Sequence, residues 1–305
     1  MKIPIEPMLA YDLEKYQNKL QYPIYVQPKL DGYRCLAYCD TSTMEVRFYS
    51  RKGKEFAHLG HIREYLESWM ITQKFRESFY LDGELFIPES GEPEAELIYK
   101  LRSYLGKKEL SRENEIQQRV IHYHLFDAYF PNDPSRSFEK RWDWIQNNFA
   151  IRQRANKNHT KKSNNNQSPI ELVPTILVHS QAELLELRDH YLSRGSEGII
   201  VRKLEGIYRV GYKSQNVLRS KKIFSNKFII SNFLEAKGKN KGSVIWVFKC
   251  KKSNRTFQAR PMGTMEERKK WFKEGVKWIG KEVVVKYFDV DKDGCVRRNP
   301  VAVVK

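Results

Sequence analysis

The sequence has no run approaching the roughly 18 apolar residues that span a bilayer. Its start, MKIPIEPMLAYDLEKY, lacks the roughly 7–15-residue apolar core of a secretory leader. These absences predict a soluble, intracellular protein with no membrane partner, residing in the host cytoplasm or nucleus if its source is viral. Cysteine is scarce. Cys35, Cys39, Cys250 and Cys295 are too few for a disulfide framework and show none of the paired C-x2-C spacings of zinc sites, so they read as free thiols. Negative charge is in deficit too, with 37 Asp and Glu against 55 Lys and Arg and a formal net charge of +18. A field of that sign attracts polyanions, and with the membrane disfavoured it points to nucleic acid. No internal repeat is present.

What the chain does have is enough apolar material to fold: 40% hydrophobic and 13% aromatic residues. At 305 residues it predicts two domains, because single cores stop growing efficiently near 250 residues. Segments YPIYVQ, YRCLAYC and MEVRFYS within 22–48 read as strands, being rich in β-branched and aromatic residues between Pro, Gly and Asp punctuation. Helical periodicity covers 61–75, 94–105, 138–149 and 181–193, separated by strand-like FYLDGELFI and YHLFDAYF. The segment 156–168, NKNHTKKSNNNQS, contains no apolar residue and reads as a flexible loop inserted within a domain.

From residue 227 the texture changes to short strands, KFIISNFLEA, SVIWVFKC, RTFQARP, KEVVVKYFDV and CVRRNPVAVV, with one helix near 265–273. Five strands and one helix predict a small β-barrel OB-fold over 227–305. That region holds 20 Lys and Arg against 8 Asp and Glu, a net of +12, so the nucleic-acid footprint is concentrated there.

Several short patterns carry chemistry. VQPKLDGYR sets Lys29 at a turn between two strands, followed by Asp31, Gly32 and Arg34. Further on lie Ser50-Arg51-Lys52-Gly53, Asp82-Gly83-Glu84, Phe126-Asp127, Glu197-Gly198 and Arg219-Ser220-Lys221. Each alone suits an ordinary surface turn or strand end. Together and in this order they resemble the covalent nucleotidyltransferase superfamily, and specifically the ATP-dependent DNA ligases, from PMLA at 7–10 to RNPV at 298–301.

The resemblance implies an α+β chain. A nucleotidyltransferase (adenylation) domain with ATP-grasp-like antiparallel sheets over 1–226 precedes the OB-fold DNA-binding domain. It implies ATP and a divalent cation, Mg²⁺ or Mn²⁺, as cofactors, and nicked double-stranded DNA as the partner of a monomeric enzyme. The activity implied is sealing of 3′-OH/5′-phosphate nicks through a covalent lysyl-AMP and an adenylylated DNA 5′ end. Lys29 is the implied nucleophile. It must attack as a neutral amine, which the cations Arg34, Arg51 and Lys221 favour. Asp31 orients the nucleotide end or a metal, and Gln27 and Arg219 join the nucleotide site. Glu84 and Glu197 bind the divalent cation or the ribose, since Mg²⁺ requires hard oxygen ligands. Phe126 stacks on adenine, and Arg34 and Arg51 offer paired donors to phosphate.

The sequence departs from the family pattern in two places. Arg219 stands where the fifth motif usually has Lys, and no basic motif follows RNPV, leaving Arg298 or Lys305 to substitute for it. The chain looks like a minimal core of the viral and phage type. The rival readings are an mRNA capping guanylyltransferase, an RNA ligase, and a non-catalytic OB-fold binder. Leu30 after the lysine and the RNPV ending favour the DNA ligase, and the retained Lys29, Glu84, Glu197 and Lys221 favour catalysis.

Overall fold

The computed structural model describes residues 4–56, 58–87, 103, 105, 118–159, 168–221, 223–250, 252–288, 290–291, 295–296 and 300–304, with 150–159 as backbone alone. The chain forms two compact units, Met1–Ser220 and Lys221–Lys305.

The first unit holds two five-stranded sheets. One has the order β1 (Leu9–Asp12), β10 (Lys213–Lys221), β9 (Gly198–Lys203), β2 (Ile24–Lys29) and β8 (Ile176–Val178). The other runs β4 (Glu45–Ser50), β3 (Tyr33–Asp40), β5 (Phe79–Phe86), β6 (His122–Tyr129) and β7 (Ile170–Leu172). β2 is antiparallel to β8 and β9, and β4, β3, β5 and β6 pair antiparallel in that order, whereas β1·β10 and β6·β7 are parallel.

Alternation along the strands builds three apolar layers, because successive side chains point to opposite faces. Helices α1 (Gly60–Gln73) and α2 (Phe138–His159) cover the outer face of the second sheet, where Trp69 stacks on Phe149 at 4.2 Å between ring centroids. Helix α3 (Gln181–Ser193) covers the first sheet with Leu184 and Tyr191 over Ile24, Val26, Ile199 and Val201. Between the sheets lie Met8, Leu36, Tyr80, Tyr129, Tyr208 and Val217. Helix α3 starts where expected because the Ser180 hydroxyl accepts from Glu183 N at 3.2 Å, capping a donor the helix cannot satisfy itself.

Gly83 is required by packing. A Cβ there would come within 2.6 Å of the Tyr123 ring and 2.7 Å of the His124 carbonyl oxygen. Tyr123 is buried and anchored, its one hydroxyl proton shared between the Leu81 and Cys35 carbonyls at 2.9 and 3.0 Å. Gly83→Ala should therefore lower stability by about 2–3 kcal/mol through overpacking, as thermal denaturation would show.

In the second unit, β11 (Phe224–Glu235), β12 (Val244–Lys249), β13 (Thr256–Pro261), β14 (Glu282–Tyr287) and β15 (Val301–Val303) close into a barrel, the architecture expected of an OB-fold. The unit begins ahead of residue 227 because β11 already starts at Phe224. β11 pairs with β14 through Phe224–Ile229 and with β12 beyond a register shift between Ile230 and Asn232, which lets one strand turn the barrel's corner. Helix α4 (Met265–Lys273) is fixed at its start by a capping box between Thr264 and Glu267.

The structure corrects two expectations. Cys250 and Cys295 are not free thiols but form a disulfide, their Cα atoms 4.7 Å apart. Barrel closure brings together residues whose spacing carries no pairing signal. Cys35 and Cys39 are free and buried. Helix α2 runs on to His159, into the segment read as a loop from 156, while 160–167 lie outside the described residues. Elements on both sides of that segment belong to the first unit. The helix expected over 94–105 lies, apart from Ser103 and Leu105, outside the described residues, as do Arg298 and Lys305. Among the described residues no helix is long and apolar enough to cross a membrane.

Candidate active site

A cavity of about 420 Å³ opens in the first unit. Strand β2 supplies its floor. Ile24 and Val26 point into the core under α3, so the two-residue period turns Gln27 and Lys29 the other way. On the paired strand β9, Ile199 and Val201 likewise face the core, and Ile200 and Arg202 line the cavity. The register sets Lys29 opposite Gly198, which puts Glu197 beside it. Glu197 N donates to the Lys29 carbonyl at 3.2 Å, and Lys29 Nζ donates to Glu197 Oε2.

The second sheet supplies Arg34, Glu84 and Phe126. Arg34 and Glu84 are direct cross-strand partners on β3 and β5. Arg34 is clamped by buried Asp82, Nε to Oδ1 at 2.9 Å and Nη2 to Oδ2 at 2.5 Å, and Tyr208 donates its hydroxyl to the same carboxylate at 2.6 Å. Burial alone would lower the Arg34 guanidinium, but the Asp82 carboxylate overrides it and holds it above its ordinary value. The Phe126 ring has two guanidinium carbons close by, Arg34 at 5.5 Å and Arg202 at 5.3 Å from its centroid. Arg219 reaches the cavity from β10 and is held by Asp12 at 3.0 Å.

The wall is strongly cationic. Lys29, Arg34, Arg51, Arg202, Lys213 and Arg219 line it against a single carboxylate, Glu84. Such a wall suits a polyanion, with Phe126 offering an apolar surface beside it. Burial pushes the Glu84 carboxyl up to about 7, and the Lys29 and Arg34 cations pull it down only in part. Among the described residues no group of three or more His, Cys, Asp or Glu side chains could hold a metal alone. A divalent cation bound in this cavity would have Glu84 as its one lining carboxylate, with substrate phosphates and water as the remaining ligands, the usual arrangement for Mg²⁺.

Glu84 makes the stability of the folded protein depend on pH. An unfolded glutamate releases its proton near 4.5, whereas this one keeps it to about 7, so the folded state binds more protons between those values. Stability therefore falls as pH rises from about 4.5 to 7 and levels off above, by up to about 3 kcal/mol. Glu84→Gln should raise the melting temperature at pH 7–8 and lose that advantage near pH 4.5, as melts across that range would show.

Of the residues predicted from sequence, Gln27, Lys29, Arg34, Arg51, Glu84, Phe126 and Arg219 line one cavity, and Glu197 is bonded to Lys29. Asp31 does not line it, and Lys221, the last residue of β10, begins the second unit. The sequence motifs leave out Arg202, Lys213 and Tyr208, and they contain Asp82 without showing that it clamps Arg34. Arg202 had a signal: an arginine directly after the apolar run GIIV at 198–201, in the same strand, needs a partner when buried. It has two, donating to Gln27 Oε1 at 2.7 Å and to Asp127 Oδ2 at 2.6 Å.

A family model described as ATP dependent DNA ligase domain matches residues 7–221. The DNA ligase of African swine fever virus, isolate Tick/South Africa/Pretoriuskop Pr4/1996, is 26% identical over 254 residues, covering 80% of this chain and 53% of its own. That of Methanopyrus kandleri is 25% identical over 249 residues, covering 79% and 41%. The chain thus spans about half the length of the curated relatives it matches. Among solved structures, the ATP-dependent DNA ligase from bacteriophage T7 in complex with ATP superposes with a TM-score of 0.58 at 19% identity, covering 100% of this chain and 99% of that one. This last likeness shows a shared fold. Because the matched span exceeds half of the chain and takes in every residue lining the cavity, the chain belongs to the ATP-dependent DNA ligase domain family.

Proposed function

We propose that this protein seals nicks in duplex DNA, using ATP and Lys29. The observation that carries the reading is a motif lysine on the wall of a cavity lined by six basic residues, one carboxylate and one phenylalanine. Lys29 Nζ attacks the α-phosphorus, a phosphorus–nitrogen bond forms, and the bond to pyrophosphate breaks. The adenylyl group then passes to the 5′-phosphate of the nick, and the 3′-hydroxyl displaces AMP as the new phosphodiester forms.

Each wall residue has a task suited to its type. Glu197 holds the Lys29 amine at the cavity edge. Arg34, rigid in its bidentate clamp, and Arg219 bind phosphate oxygens with no need to reorganise as charge develops. Arg51, exposed at the rim, meets phosphate where substrate enters. Phe126 packs against the base. A divalent cation held by Glu84 and phosphate oxygens would neutralise phosphate charge during transfer.

The barrel contributes duplex affinity through its net positive charge. Its exposed turn Lys237–Lys241 carries Lys237, Lys239 and Lys241. Replacing these three lysines by Ala should make the log–log salt dependence of duplex binding shallower by up to about 2.7, at about 0.9 per phosphate contact. An unchanged slope would remove this turn from the interface. The function itself is tested by sealing of a singly nicked duplex with ATP; no sealed product under any divalent cation would overturn it.

A further inference from the structure

The Tyr208 hydroxyl makes one bond to each of the two sheets. It donates to Asp82 Oδ2 at 2.6 Å and accepts from Met8 N at 3.3 Å, so its proton and a lone pair are both placed. Asp82 lies on β5 in the second sheet, where its carboxylate also takes Arg34 Nε at 2.9 Å and Nη2 at 2.5 Å. Met8 leads into β1 in the first sheet, and β1 pairs with β10 from Leu9 opposite Lys213 to Asp12 opposite Arg219. One hydroxyl thus sets Arg34 in register with Lys213 and Arg219, the basic residues that β10 brings to the same cavity. Tyr208 is itself held in place although it belongs to no strand. It sits in the connection from β9 to β10, where Arg141 Nη1 donates to the Gly206 carbonyl at 3.0 Å, Asn216 Nδ2 to the Ile207 carbonyl at 3.0 Å and Gly211 N to the Glu6 carbonyl at 2.9 Å. Its buried ring packs on Tyr129 at 5.2 Å between centroids, with the Arg141 guanidinium 5.6 Å from its own.

We propose that Tyr208 is a positioning residue for phosphate transfer, holding Arg34 through Asp82 in a fixed place relative to the cations of the facing sheet. The inference rests on the nucleotide-transfer reading above and adds to it a residue outside the cavity lining. A guanidinium has five donors; Asp82 takes one on Nε and one on Nη2, which leaves three for phosphate oxygens. Where those three point is set by the carboxylate, and the carboxylate is set in turn by Tyr208. Without the hydroxyl, Oδ2 loses a donor, the Met8 amide loses its acceptor, and the bond between the two sheets at this point is gone. Displacing a charged group by about 1 Å costs up to about 10²-fold in rate, because its donors no longer meet the phosphate where charge develops.

The test is Tyr208→Phe in the full chain, which keeps the ring and removes the hydroxyl. Labelling of Lys29 by α-labelled ATP is timed across ATP concentrations. The maximal rate should fall by about 10- to 100-fold while half-saturating ATP moves by less than about threefold, and the melting temperature should drop by no more than about 5 °C. Arg34→Lys slows labelling by itself, and in that background Tyr208→Phe should cost less than about twofold more, because no clamp remains to be held. If Arg34→Lys fails to fold by circular dichroism, Asp82→Asn serves as the background with the same expectation. Solvent exchange of the Arg34 Nε proton, followed by NMR, should be at least about tenfold faster in Tyr208→Phe than in the wild type. A maximal rate within about twofold of the wild type, a loss seen wholly as weaker ATP binding, the full loss repeated in the second background, unchanged Nε exchange, or failure of Tyr208→Phe to fold would each overturn the proposal. A wild type that takes no label would sink the transfer reading instead, and Nε exchange would still decide whether Tyr208 holds Arg34.

Discussion

Lys29→Ala should take no detectable label from α-labelled ATP, a loss of more than about 10³-fold, because binding energy cannot replace a nucleophile. The cavity offers no substitute on the same strand. The other lysine lining it, Lys213, stands at the start of β10 opposite Leu9. Lys29→Arg is the sharper control, since it keeps the positive charge beside Glu197 while a guanidinium stays protonated and cannot attack. Both variants should melt near the wild-type temperature, because Lys29 and Glu197 keep 21% and 17% of their side-chain surface and a partly solvated pair contributes little. Stable labelling of either variant would show that another group forms the bond.

Asp127→Ala should be the most destabilising of these changes, by about 3–5 kcal/mol, which in a domain of this size lowers the melting temperature by about 10 °C. The carboxylate is fully buried and holds two buried guanidinium groups, Arg141 at 2.7 and 3.1 Å and Arg202 at 2.6 Å. Removing it leaves both cations desolvated and unpaired. Burial alone would push the Asp127 carboxyl up, but Arg141 and Arg202 reverse this and hold it below its ordinary value. Stability from this group is accordingly present throughout neutral pH and lost only as pH falls through that lowered value. Arg202 would also lose its fixed place, so the surviving folded fraction should bind ATP more weakly. A variant that melts within about 2 °C of the wild type would show that Arg141 and Arg202 find other partners.

How much of this was legible in the sequence depends on the range of the interactions concerned. Helices α3 and α4 were readable almost to the residue, because local capping at Ser180 and at Thr264 with Glu267 sets their starts. The barrel was readable from five turn-separated strands, whereas the Cys250–Cys295 pairing was not, since it depends on how the barrel closes. Gly83 looked like part of a turn motif, and the structure shows it instead within β5, under the Tyr123 ring.

For the site, the types of group and their order are already present in the chain: the lysine before Asp-Gly, the two acidic motifs, the basic strand ends and the net positive charge. Those follow from chemistry that any phosphate-transferring cavity must supply. Tertiary structure alone decided which of them meet and in what state. Strand pairing of β2 with β9 brings Lys29 to Glu197 across 168 residues of sequence and Gln27 to Arg202, and the facing sheets bring Arg202 to Asp127. The clamped Arg34 guanidinium and the raised Glu84 carboxyl arise from partners and burial at long sequence separation, which no local pattern encodes.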